Sequence, residues 1–310
     1  MKTTFLLWAF LIVSAATAQP QTAFTLTEKD LIPEGITYDE STRRFFLGSI
    51  AKRKIVQIDP AGRATDFVSS RQHDLGEVLG MKVDAKRKRL IAVSNDGEAN
   101  PNGRAMIHSF NLDGTLQKKL SLAAQGEMRL FNDLIITADG AAFITDSDGS
   151  AIYYVDPAFE KIELWLKSDE LRYANGITLS PDEKTAIVST GRGFVSVDLE
   201  TKDIRPLPFA DYYVIGVDGL YTNGKSLIAI QNVTYPVSIV RYELNEQGRN
   251  ITGAKLLLVD DPGFDLPTTG VIVGNWFYYI ANTQLRQFKD GKLVAPEKLK
   301  DIVIARIKLN

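Results

Sequence analysis

Apolar and polar residues alternate along this chain in short runs separated by Gly, Asn, Asp and Pro, the pattern of half-buried strands joined by turns. The runs recur in sets. Asn175-Gly176-Ile177 opens "NGITLSPDEKTAIVS", and related sets open at Glu34-Gly35-Ile36, Leu79-Gly80-Met81, Asn132-Asp133-Leu134, Asp218-Gly219-Leu220 and Thr269-Gly270-Val271. Their first positions are 45, 53, 43, 43 and 51 residues apart. Periods of about 40 to 50 residues, each holding several short strands, mark the blades of a propeller. Six sets predict an all-β chain folded as a six-bladed β-propeller with four-stranded blades.

In the first set the alternation predicts strands at 35–38, 44–48, 54–58 and 65–69. The sixth supplies only 271–273, 276–281 and 302–309, with an irregular addition at 284–288, and so lacks an outer strand. The stretch 22–27, "TAFTLT", alternates well and has no partner of its own. It is expected to complete the sixth blade and close the ring, which removes an open sheet edge.

Composition refines this picture. The charged residues nearly cancel, 36 basic against 38 acidic, with a pI near 5.8, so there is no electrostatic case for nucleic acid or an anionic membrane as a partner. The basic run Lys86-Arg87-Lys88-Arg89 falls where a hairpin turn is needed and reads as a solvated turn. There is no cysteine, which excludes disulfides and a cysteine nucleophile. Lys2, the apolar run 5–13 and the small-x-small site Ala16-Thr17-Ala18 read as a cleaved signal peptide at 1–18, leaving 19–310 as one propeller domain in a secreted or periplasmic protein. Asn232-Val233-Thr234 and Asn250-Ile251-Thr252 match the glycosylation sequon, a frequent chance match.

In a propeller the innermost strands begin at one mouth of the central channel. Glu34, Leu79, Asn132, Asn175, Asp218 and Thr269 would therefore form a ring there, and five of the six carry side-chain oxygen. Two carboxylates about 6 Å apart repel by roughly 3 kcal/mol at an effective dielectric near 20, before any desolvation cost. A divalent cation would offset that repulsion. Oxygen-only ligation favours Ca²⁺, with Mg²⁺, Mn²⁺ or Zn²⁺ as alternatives. Such an ion can polarise a carbonyl and acidify bound water, which suits hydrolysis of an ester or lactone.

The segments "PEGITYD", "FNDLIITADGAAFITD", "ANGITLSPDEKTAIV" and "VDGLYTNGKSLIAI" resemble the senescence marker protein, gluconolactonase and luciferin-regenerating enzyme family, six-bladed propellers with one central divalent metal. The resemblance implies metal ligation by Glu34, Asn175 and Asp218, Asn132 as a further ligand or substrate contact, and Asp218 as general base. Leu130 stands where sugar-lactone members carry arginine, with Arg129 one step away. Arg129, His73 and Thr269 are the further candidates for substrate contact, and Tyr173 and Tyr213 are candidates for pocket walls. Asp146 and Asp148 are read as a turn in preference to a second cation site. The expected activity is that of a metal-dependent lactonase or esterase on a small-molecule substrate. Two alternatives stay open: a noncatalytic ligand- or protein-binding propeller with a structural metal, and a lyase or synthase on a similar scaffold. The oligomeric state is not readable.

Overall fold

The computed structural model describes residues 19–97, 100–123, 125–207, 209 and 214–309. The expected leader at 1–18, and Tyr213, lie outside them. The described residues form six four-stranded antiparallel sheets and one two-stranded hairpin. Blade one runs outward from the channel through Pro33–Asp39, Arg44–Ser49, Lys54–Ile58 and Ala64–Val68. Blades two to five repeat this simple order of successive hairpins.

The sixth blade departs from it. Gly270–Val273, Trp276–Ile280 and Ile302–Lys308 are followed outward by Gln21–Leu26, so the outermost strand comes from the other end of the chain. Leu26 lies opposite Ile302 and Gln21 opposite Arg306. The expected closure of the ring by the first strand is thus observed.

Alternation along each strand feeds two interfaces at once, because side chains leave a strand on opposite faces. Phe45, Leu47, Val56 and Ile58 of blade one pack with Ile280, Ile302 and Ile304 of blade six. Their strand neighbours Phe46 and Ile55 pack with Val78, Met81 and Leu90 of blade two. Every junction between neighbouring blades holds such an apolar cluster.

The basic run at the second hairpin is only partly solvated. Arg89 is buried, bonds Asp84 Oδ2 at 2.9 Å and the Gly140 carbonyl at 2.9 Å, and lies over the Phe159 ring. Arg87 pairs with the same aspartate at 3.2 Å. A buried carboxylate at the turn recruits these guanidinium groups, which corrects the reading of the run as a solvated turn. Between Ile280 and Ile302 the chain leaves the sheet to form a short hairpin, Phe288–Lys289 with Lys292–Leu293, in place of the irregular addition expected there. Among the described residues no helix is long and apolar enough to cross a membrane.

Candidate functional site

Four innermost strands share one irregularity. Pairing skips between Pro33 and Ile36, Val78 and Met81, Phe131 and Leu134, and Val217 and Leu220. The two residues inside each skip are the recurring pair of the repeat, set against a single residue on the partner strand. Such a bulge re-aims a side chain at the rim of a sheet. In blade four, Asn175 and Gly176 directly precede the strand Ile177–Leu179 and are held by backbone bonds to Ser189.

The second residue of the pair explains the close approach of the blades. A Cβ on Gly35 would sit 1.9 Å from the Leu79 carbonyl oxygen, and one on Gly80 2.6 Å from that of Asn132. In each case the obstacle is the backbone of the next blade. Blade three is the exception, with Asp133 in the glycine position. Its carboxylate is buried; Oδ1 accepts from the Leu134 N–H at 2.8 Å and faces Lys82 Nζ at 3.4 Å. Lys82 in turn lies 5.2 Å from the Tyr221 ring centre, and the Tyr221 hydroxyl accepts from the Gly270 N–H at 2.7 Å. An acid and a base thus occupy the channel just beneath the ring. The sequence reading missed Asp133 as a site residue, although the one acid among five glycines at that repeat position was a visible signal.

Glu34, Asn132, Asn175 and Asp218 come together at the floor of a cavity of about 790 Å³. Leu79, the ring position without oxygen, lines it beside them. Small hydroxyls fix the ring's backbone. Thr268 Oγ1 donates to the Glu34 carbonyl at 3.0 Å, and Thr269 Oγ1 donates to the same oxygen. Thr145 Oγ1 donates to the Asn175 carbonyl at 2.7 Å. The Asn132 side-chain nitrogen donates to Ser147 Oγ at 3.1 Å, so its amide oxygen is the atom left for the cavity.

The two ring carboxylates are buried together. The Asp218 carboxyl is pushed up to about 7, chiefly by loss of solvent; hydrogen bonds from Asn232 and Asn175 oppose this, and the Asp133 charge adds to it. Burial also holds Glu34 well above the usual carboxylate range, reinforced by the charges of Asp218 and Asp133 and countered in part by Lys82. Glu34 Oε2 and Asp218 Oδ1 are buried with no hydrogen-bond partner among the described residues. Two orphaned carboxylate oxygens flanked by amides fit a hard divalent cation. Among the described residues no three His, Cys, Asp or Glu side chains gather as a ligand cluster, so amide oxygens would have to complete the coordination.

Asn232 belongs to a sequon and to the loop 231–236, expected at the channel mouth, and was not among the candidate site residues. Its amide is buried and donates to Asp218 Oδ2 at 2.6 Å and to the Pro267 carbonyl at 2.8 Å, which orients the carboxylate. The three remaining substrate candidates lie elsewhere. Arg129 donates to the Ala123 carbonyl at 2.7 Å and sits 3.6 Å from buried Asp146, while its neighbour Leu130 lines the cavity, as a one-residue step along an extended chain requires. His73 is in a turn at 72–74 where its carbonyl meets His108 Nε2 at 3.2 Å. Thr269 is buried and serves the backbone of Glu34. None of the three lines the cavity. Tyr173 is exposed and does not line it either. Asp146 accepts from the Leu130 and Gly149 N–H groups at 2.9 Å each, consistent with a turn.

Fold and site together define a six-bladed propeller with a ring of oxygen donors at one mouth of its channel. The chain belongs to the SMP-30/Gluconolactonase/LRE-like region family, whose profile matches residues 32–206. No curated protein sequence matches the chain. Among solved structures, a gluconolactonase from Xanthomonas campestris superposes with a TM-score of 0.63 at 15% identity, covering 94% of this chain and 90% of that one. A luciferin-regenerating enzyme gives 0.62 at 14% identity, covering 94% and 97%. The virginiamycin B lyase of Staphylococcus aureus gives 0.64 at 14% identity, covering 94% and 99%. At these identities the likeness is one of fold.

Proposed function

We propose that the chain is a metal-dependent hydrolase of lactones or related esters, with one divalent cation, Ca²⁺ in first place, held by Glu34, Asn132, Asn175 and Asp218. The observation that carries this reading is the pair of buried, unpartnered carboxylate oxygens on Glu34 and Asp218 at the floor of the cavity. Membership of a family named for gluconolactonase supports it.

When bound, such a cation polarises a substrate carbonyl and makes an adjacent water acidic. The protein's own groups do the rest. Asn132 and Asn175 would present amide oxygens to the cation, which sets where it sits at the floor of the cavity. Asn232 orients Asp218 through Oδ2, and this carboxylate would be the group beside the attacking water that takes its proton. Water oxygen bonds to the carbonyl carbon, the ring C–O bond breaks, and the proton passes from Asp218 to the departing oxygen, giving a hydroxy acid. Gly35, Gly176 and Gly219 let the blades close in behind the ring. Cleavage of a leader at 1–18 would put this activity outside the cytoplasm, either secreted or periplasmic; N-terminal sequencing of exported protein tests that point.

The test of the activity is turnover of a panel of aliphatic, aryl and sugar lactones and aryl esters, with and without chelator. Hydrolysis abolished by chelator and restored by Ca²⁺ is expected. If chelation lowers the melting temperature while no member of the panel is hydrolysed, the cation is structural and the propeller is a binding protein.

A further inference from the structure

We infer that the substrate carries an apolar alkyl or aryl group beside its lactone or ester carbonyl and is not a polyhydroxylated sugar lactone. This inference rests on the hydrolase reading and concerns the walls of the same cavity.

The floor is polar, and one side of the wall that rises from it is apolar, while Arg53, Glu77, Asp96 and Asn100 line another part. Leu79 occupies the ring between Glu34 and Asn132, so apolar surface begins level with the candidate ligands. Ile50 and Leu130 continue that surface upward, and Leu285 and Phe288 of the insertion in blade six extend it. These five side chains belong to one apolar cluster with Ile32 and Leu299 behind them. Ile50 and Leu79 are buried, and Leu130, Leu285 and Phe288 are half-buried with surface to spare. The stripe is therefore continuous from the floor to the hairpin.

Three charged groups of the wall are already engaged: Arg53, Glu77 and Asp96, the last paired with Arg104 at 2.8 Å. Arg53 pairs with Glu77 at 3.1 Å and donates to the Asp96 carbonyl at 3.3 Å. Lys289 and Asp290 are exposed at the tip of the hairpin. A sugar ring whose carbonyl reached the floor would press several hydroxyls against leucine, isoleucine and phenylalanine, and buried hydroxyls without partners are penalised. An alkyl chain in the same place gains with every methylene removed from water. That gain amounts to about three- to fourfold in affinity per methylene.

Non-hydrolysable lactams separate recognition from chemistry. Calcium-loaded protein would be titrated calorimetrically with γ-lactams bearing methyl, butyl and octyl groups, and with gluconolactam. Affinity should rise about three- to fourfold per methylene from methyl to butyl. Gluconolactam should bind at least about tenfold more weakly than the butyl compound, since its hydroxyls would be left without partners. Leu130→Gln and Phe288→Ser should each weaken octyl-lactam binding severalfold while leaving the calcium-induced shift in melting temperature intact, which reports on folding. Affinity independent of chain length, gluconolactam binding as tightly as the alkyl lactams, or binding unmoved by either substitution would overturn the inference. If the lactams behave as expected but the matching lactones are not hydrolysed, the hydrolase reading fails and the ligand class stands. If gluconolactone is hydrolysed best, the reverse holds.

Discussion

A Cβ built on Gly176 would lie 2.2 Å from the carbonyl oxygen of Asp218, so the innermost strands of blades four and five touch where no side chain fits. The glycine of the repeat is thus a spacer between neighbouring blades, and what it spaces is the ring. Gly176→Ala should displace Asp218 and cost about 1 to 3 kcal/mol, the usual range for overpacking. Gly253→Ala, where the nearest atom to an added Cβ is 3.9 Å away, is the matched control and should be close to neutral. Urea denaturation measures both, and calcium titration should show weaker binding for the first variant alone.

Glu34 and Asp218 are buried together, and the proposed cation would relieve the repulsion between them. In chelator, Glu34→Gln should melt at or above the wild-type temperature, because one buried charge is gone. In millimolar calcium the order should reverse, since the variant has lost a ligand and with it most of the ligand-linked stabilisation. Melting curves in the two conditions provide the check; the same order in both would mean that the carboxylates do not share an ion.

Lys82 faces Asp133 from below the ring, with its side chain about a quarter exposed at 26%. Lys82→Met should leave that acid without its counter-charge and destabilise the chelated protein by roughly 1 to 2 kcal/mol, less than for a fully buried pair because solvent screens it. The combined Lys82→Met, Asp133→Asn variant should recover part of the loss. A double-mutant cycle in urea measures the coupling.

His108 is fully buried, stacked on Phe110, and its burial lowers the imidazole from 6.5 to about 4. The unfolded chain therefore binds this proton at higher pH than the folded one does. The stability due to neutral His108 is complete above about pH 6.5 and falls away as pH drops toward 4, by up to about 3 kcal/mol. Denaturation midpoints across that interval should show the decline, and His108→Leu should flatten it.

The ring was legible because it is spelled once per blade: Glu34, Asn132, Asn175 and Asp218 occupy the same register and the fold superposes them in space. The closing strand was legible for the opposite reason, an alternating stretch at 22–27 with no partner of its own. Asp133 stood out in the repeat as the one acid at a glycine position, but its pairing with Lys82 arises where two blades meet, which no single repeat encodes. The one-residue offset of Arg129 from the arginine position was legible too: Leu130 lines the cavity and Arg129 turns to Asp146. The cavity walls were unreadable since Ile50, Leu130 and Phe288 come from three blades and touch only after folding.

Glu34 and Thr269 meet across 235 residues of sequence. As the polypeptide grows, Gln21–Leu26 has no strand to pair with until Ile302–Lys308 has been made. Blades can form one after another as their hairpins appear, but the junction that seats Glu34 is made by the final one. The pairing that shuts the ring therefore waits on the last strand of the chain. A shortened product lacking Ile302–Lys308 would carry every ring residue and still leave Gln21–Leu26 without its partner strand.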